Sequence, residues 1–485
     1  MTRCRSRGAS RRLPALLAAL LACLAGAGTW SARADAHAVL VQALPAEGAR
    51  ADSSPPAVIL TFSETVTLLR PQDVSVVDER GRSALAGEPR RRPDDAATIE
   101  APLRPGLPDG TYTVRYRILS ADAHVIPGAY AFRVGEGPVG PPLLTGAGGG
   151  PSETGPWAVA ARFLELVAIG GLFGLVAVRR LVWDPALEGS GLAPEEAREM
   201  RDWMRERFWG LFAVLALGSL AAEVHLLLVK SASLLGTGVL SVLGDPLEVL
   251  RTLHDNPFGS RLQLRAALLV VLFAAGLVLS ALESQTGARE DTGAATQTRP
   301  AATAVMALLA FGVLAAISWQ GHASQAPLRE LSILADAVHL AAAATWIAGL
   351  AFVAMALRRV PQVAPAGGPR LAGDVLARFS RVALGAVALV LATGIARTVG
   401  ELSAPADLWE TAHGRSILYK LALLCPVAFL ALRNRRVVTA LRGVPRPNCA
   451  TLALVRRSVA LELGIALAIV VVAALLVAQV PGRVG

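Results

Sequence analysis

Tyr112-Thr-Val-Arg-Tyr-Arg-Ile118 alternates apolar and polar side chains with a period of two, and Ser120-Ala-Asp-Ala-His124 follows directly at its end. Such alternation marks an extended strand with one buried and one wet face. Shorter β-rich runs lie around it at Val58 to Phe62, Val74 to Val77 and Ala129 to Val134. Turn-forming Pro55-Pro56 and Pro108-Asp-Gly110 punctuate them. Several short strands within about 100 residues predict an all-β sandwich over residues 37–135.

Downstream, Gly135 to Pro156 holds eight Gly and five Pro in 22 residues, so residues 136–156 read as a flexible tether. Beyond it come eight apolar stretches, at 157–178, 208–229, 264–283, 301–319, 332–357, 379–399, 415–432 and 458–479. Each approaches the ~20 residues that cross ~30 Å of hydrocarbon. The expected class is therefore multidomain, a β-sandwich followed by an all-α polytopic bundle of eight transmembrane helices over residues 157–480. A mean hydropathy of +0.50 and 53% apolar residues agree.

The net charge of +10 does not point to nucleic acid, because the only lysines are Lys230 and Lys420 and the arginines gather between apolar runs. The partner this pattern implies is the lipid bilayer. Loops around 179–207, 284–299, 358–381 and 433–457 hold 20 arginines, whereas the opposite set holds nine basic residues, Arg265 among them. The positive-inside rule then places the sandwich and the C-terminus outside the cytoplasmic membrane.

Five arginines in Met1 to Arg12, the apolar run Leu13 to Gly28 and the small residues of Ala34-Asp35-Ala36 read as a signal peptide over residues 1–36. Cleavage would leave His37 first. A lipoprotein signal ending at Cys23 is the alternative, and Ser10-Arg11-Arg12 leaves Sec or twin-arginine export open. No cysteine lies between His37 and Pro156, so no disulfide staples the exported domain.

An N-terminal His offers a metal its amine and its Nδ1 together. Asp122 and His124 stand two apart after the best strand, so an extended backbone points them the same way. Three nitrogens and one oxygen suit tetragonal Cu(II) and lack the sulfur that Cu(I) prefers. Taken singly, a terminal residue and a polar turn are the blander readings of these positions. The sequence here resembles the CopC family of periplasmic copper-binding proteins, through His37-Ala-Val-Leu, Pro45-Ala-Glu-Gly-Ala49, Leu60-Thr-Phe-Ser-Glu64, Gly110-Thr-Tyr-Thr-Val114 and Ser120-Ala-Asp-Ala-His124. The resemblance implies a cupredoxin-like or immunoglobulin-like sandwich, Cu(II) ligands at His37, Asp122 and His124, and Glu64 as an acid behind them. Some relatives carry a Met-rich Cu(I) loop, but no methionine lies between Met1 and Met200 here. Ala123 stands where that family favours Gly.

Five histidines remain, His225, His254, His322, His339 and His413, all on the expected outer side. His339 enters the fifth span by about 10 Å at 1.5 Å per residue. Asp336 lies one turn before it on the same face, and Glu223 stands near His225 within an apolar span. Ionisable groups at such depth are costly unless paired or functional. Glu223, His225, His322, Asp336, His339 and His413 are therefore candidates for a membrane copper pathway, against the alternative that they only tie helices together. Cys425, in the seventh span, reads as a small core residue, with Cu(I) binding as the alternative.

Phe379-Ser-Arg, Thr393-Gly394, Leu408-Trp409, His413-Gly414-Arg415, Lys420 and Asn434-Arg435-Arg436 resemble the CopD family of inner-membrane proteins linked to copper uptake. The order, CopC-like then CopD-like, is similar to copper-import fusions. The reading is thus a non-enzymatic protein of copper acquisition, with the copper ion as its ligand and its periplasmic donor and cytoplasmic acceptor unidentified. Neither lysine follows a glycine, so no P-loop is present. The alternatives are a membrane redox enzyme with haem held between His225 and His339, and a copper sensor or chaperone on a membrane anchor.

Overall fold

The computed structural model describes residues 38–68, 70–120, 125–143, 156–254, 257–286, 295–321, 328–364, 367–402, 404–441 and 449–476. The expected leader, and the candidates His37, Asp122, His124 and His322, lie outside the described residues.

The alternation read in the sequence becomes strands β1 (Leu40–Leu44), β2 (Arg50–Ala51), β3 (Ala57–Phe62), β4 (Val66–Thr67), β5 (Val74–Asp78), β6 (Arg90–Arg91), β7 (Thr98–Pro102), β8 (Gly110–Ser120) and β9 (Val125–Val134). One sheet runs β1-β3-β7-β6; the other runs β2-β9-β8-β4, with β5 also on β8. Every second residue of β3, Val58, Leu60 and Phe62, faces Ile99, Ala101, Tyr112, Val114, Ile118 and Phe132 in a closed apolar core. Burial of that surface drives the two sheets together.

β8 departs from the expected pattern, because Thr111, Thr113, Arg117 and Leu119 are buried as well as the core-facing residues. Part of the expected tether covers this face. The Gly140 amide donates to Thr111 Oγ1 at 3.1 Å, and the Leu143 amide to Thr113 Oγ1 at 2.8 Å. Arg133 also holds the carbonyls of Glu136 and Pro138. Residues up to Leu143 are therefore bound to the sheet despite their Gly and Pro content, since hydroxyls on β8 satisfy their backbone amides.

The chain divides into two compact units, and Leu226–Ser260 belongs to the unit of the sandwich whereas Pro156–His225 and Arg261–Ala478 form the other. Among the described residues, eight helices are long and apolar enough to span a membrane, in agreement with the eight expected stretches. They are α1 (Pro156–Val178), α2 (Pro194–Leu235), α3 (Pro257–Thr286), α4 (Ala295–Gln320), α5 (Arg329–Val363), α6 (Gly368–Glu401), α7 (Ala412–Leu441) and α8 (Cys449–Leu476). Three begin well before the apolar text does. α2 starts at Pro194 rather than 208, α6 at Gly368 rather than 379 and α8 at Cys449 rather than 458, because the Arg-bearing segments between spans are themselves helical.

α5 is the most enclosed of the eight. Small residues let its neighbours approach. A Cβ at Gly174 of α1 would stand 2.4 Å from the Ala344 carbonyl oxygen, and one at Gly349 would stand 2.1 Å from the Phe379 ring of α6.

Candidate functional site

The frame of the proposed sandwich site is set by one short segment. Leaving β3, Ser63 exchanges two hydrogen bonds with Val39: the Val39 amide donates to Ser63 Oγ and the Ser63 amide donates to the Val39 carbonyl, each at 2.9 Å. Three residues on, Val66 of β4 pairs with Ser120, the last residue of β8. Leu119 pairs with Val125, so the chain leaves β8 and enters β9 at this same end. Ala38 is buried in the core, which anchors the chain one residue after His37. Glu64 is half-buried in the link between β3 and β4. Behind the link, Phe62 packs edge-on against Tyr116 at 5.5 Å, and Tyr116 lies over its cross-strand partner Gly128, where a Cβ would come within 2.1 Å of the ring. The described neighbours of His37, Asp122 and His124 are thus rigidly placed at one end of the sandwich. Among the described residues, no group of three or more His, Cys, Asp or Glu side chains is arranged to hold a metal ion.

The membrane unit places the other candidates differently from their spacing in sequence. Glu223 and His225 do not act together: Glu223 is buried and His225 is exposed, as residues two apart on a helix point to opposing sides. Glu223 is instead held by Arg265 of α3, whose Nε and Nη2 reach its Oε2 at 2.8 and 2.6 Å. The Arg265 Nη1 reaches Glu165 Oε1 of α1 at 2.7 Å, and Arg162 donates to the other oxygen of Glu165 at 2.7 Å. Arg265 is fully buried, so it is no membrane-flanking charge as its position near a helix start suggested. Sequence spacing could not show this, since its carboxylate partners lie 42 and 100 positions away.

Asp336 and His339 share a face of α5, as expected, but each turns to α6. Asp336 pairs with Arg397, and His339 Nδ1 lies 3.0 Å from Thr393 Oγ1. Thr393 donates its single hydroxyl proton to the Leu389 carbonyl at 2.6 Å. The proton of the His339–Thr393 bond therefore sits on Nδ1, which leaves Nε2 with the lone pair that a metal or a proton would take. Gly394 borders the ring, and a Cβ there would meet His339 Cε1 at an ordinary contact distance of 3.5 Å. His254 is exposed at the end of a short helix, Pro246–His254. His413 falls in the first turn of α7, with its side chain outside the described residues. Cys425 is exposed on α7 rather than in the core. Sequence reasoning missed Arg265, Glu165, Thr393 and Arg397, each an ordinary residue until a second helix is set beside it.

Two families match the chain. The CopC domain matches residues 40–135, and the family described as Copper resistance protein D matches residues 373–476. The chain is 25% identical over 410 residues to "Copper transport protein CutJ" of Bacillus subtilis (strain 168), covering 83% of this chain and 69% of that protein. It is 30% identical over 125 residues to "Protein YobA" of Escherichia coli (strain K12), covering 26% of this chain and 96% of YobA. Similar solved structures include CopC from Methylosinus trichosporium OB3b, at 30% identity and a TM-score of 0.18, covering 20% of this chain and 93% of that one. PcoC, a methionine-rich copper resistance protein from Escherichia coli, is similar at 27% identity and a TM-score of 0.18, covering 20% and 99%.

Proposed function

We propose, for a chain that belongs to the family joining a CopC domain to a CopD domain, that it acquires copper: the sandwich captures Cu(II) outside the cytoplasmic membrane and the eight-helix unit receives the ion and passes it inward. The observation that carries this reading is the presence of both domains in one polypeptide, together with likeness over 83% of its length to a protein named for copper transport.

Capture falls to His37, through its amine and Nδ1, with Asp122 and His124 completing a nitrogen and oxygen set that suits Cu(II). Signal cleavage after Ala36 creates this chelate, and the bonds of Val39 to Ser63 and of Val66 to Ser120 support holding its parts at one end of the sandwich. Glu64, in the same link, is placed to act on a ligand rather than to bind first. In the membrane unit the unprotonated Nε2 of His339 is the best ligand, and Asp336 is the acid beside it. Arg397 neutralises that acid until a cation replaces it. Glu223, clamped by Arg265, serves the structure of the bundle more directly than the path, and His225, His322 and His413 remain as ligands near the entrance.

Cellular copper decides the direction. Under copper limitation, deletion of the gene is expected to lower cell copper, and a chain with His339→Ala is expected to restore it only in part. A rise in cell copper on deletion would overturn the importer reading. Purified protein should bind one Cu(II) with a nitrogen-rich paramagnetic resonance signal that His37→Ala and His124→Ala each alter. Mass spectrometry of the mature chain is expected to show His37 first.

A further inference from the structure

Four acids of the spanning helices are buried among the described residues, and three of them sit on a guanidinium: Glu165 and Glu223 on Arg265, and Asp336 on Arg397. The fourth, Glu462 of α8, does not. It lies four residues into the eighth apolar stretch, shortly after Arg456 and Arg457 and at the level of the Arg433-Asn-Arg-Arg436 end of α7, and is 4% exposed. Its partner is a neutral amide, Asn434 of α7, whose Nδ2 donates to Glu462 Oε1. α1 and α5, the other helices packed against α8, set no charge on it. The arginines nearest on its own helix, Arg456 and Arg457, come six and five positions earlier. One turn before Glu462, and so on its face, Ser458 is 8% exposed with a buried hydroxyl that has no hydrogen-bond partner.

A carboxylate buried inside a helix bundle without a cation on it is so poorly solvated that the group takes a proton instead. The surroundings of Glu462 can serve both forms. Asn434 donates to the carboxylate and Ser458, its hydroxyl uncommitted, is able to; each can also accept from a carboxylic acid, the serine by rotating its hydroxyl and the asparagine through its amide oxygen. Ser458 also lies toward the end of the bundle where α7 ends and α8 begins, which makes it a step between the acid and the water on that side.

We infer that Glu462 is an exchangeable proton site of the membrane unit, reached through Ser458 and Asn434, and that copper movement is coupled to its loading and unloading. In the unloading step the carboxylic O–H bond breaks, the proton passes by way of the Ser458 hydroxyl to water, and the carboxylate left behind is held by Asn434 Nδ2–H and the serine O–H. Loading reverses these bonds, with water delivering the proton. The coupling rests on the transport reading above, whereas the proton site does not.

The test uses the full chain in lipid vesicles and has two arms. Infrared difference spectra between acid and alkaline buffer are expected to show a carboxylic C=O stretch that vanishes in Glu462→Gln. In Ser458→Ala the band should persist but respond more slowly to a pH jump. Copper uptake, read beside a pH dye inside the vesicle, is expected to carry a proton flux in the wild type that Glu462→Gln abolishes and Glu462→Asp retains. An unchanged carboxylic band in Glu462→Gln would overturn the site. Equal proton flux per copper in wild type and Glu462→Gln would overturn the coupling. If the wild type moves no copper at all, the transport reading falls and the coupling with it, while the infrared arm still decides whether Glu462 holds a proton.

Discussion

Arg265 has no exposed surface and carries two carboxylates from two other helices. Removing one partner of such a buried group is far more damaging than replacing the whole set, because it strands uncompensated charge in a medium that solvates it badly. Arg265→Ala is therefore expected to cost about 3–5 kcal/mol. A thermal melt in detergent should show it, and Arg265→Met combined with Glu165→Gln and Glu223→Gln should melt closer to the wild type. Exposed acids of the sandwich act in the opposite regime. Asp95 accepts from the Thr98 hydroxyl at 2.6 Å and from the Ala97 amide at 2.9 Å, and these bonds hold its carboxyl below the ordinary 3.8. The Thr111 amide does the same for Glu79. A carboxyl whose folded value is depressed contributes stability above its unfolded value, and that contribution is lost as pH falls through the unfolded value toward the folded one. Denaturation of the sandwich, followed by fluorescence, should thus steepen as pH drops below about 4, and Asp95→Asn should flatten that dependence while lowering stability at neutral pH.

At the scale of elements, existence was legible in the sequence and environment was not. The period of two found β8, and apolar runs of near-spanning length found all eight spanning helices, because both patterns are written along a single segment. What lies against a segment is written elsewhere in the chain. Nothing within Thr111 to Leu119 says that the outer face of β8 is covered by Gly140 and Leu143, and nothing around residue 462 distinguishes an acid with a cation from one with an amide. The same holds for the proposed copper end of the sandwich: its candidate ligands come from residue chemistry and from likeness to a family, whereas the bonds by which Ser63 extends the pairing of β3 with β1 are not written in either segment alone. Close approach of helices is a further property of pairs. Gly174→Val would press a side chain into the Ala344 carbonyl and the Ala348 methyl. The expected penalty is roughly 1–3 kcal/mol, read as a lower melting temperature, with Gly174→Ala falling between it and the wild type.

Across the whole molecule, the burial of Arg265 in an ion pair removes one basic residue from the expected outer set and sharpens the arginine asymmetry. If both ends of the chain lie outside, as the arginine distribution leads one to expect, Cys449, which follows the seventh span, should react with a membrane-permeant maleimide in intact cells and resist an impermeant one. Labelling by the impermeant reagent would reverse the assigned orientation. The attachment of the chain to its own sheet as far as Leu143 has a kinetic consequence. Only 12 residues separate Leu143 from α1, so chain geometry alone caps that distance at about 40 Å. For the capture proposed above, covalent attachment at that length puts the effective concentration of donor for acceptor in the millimolar range. Under the proposed capture, hand-over is then a first-order event inside each polypeptide, indifferent to how densely the membrane is populated and closed to competition from neighbouring copies.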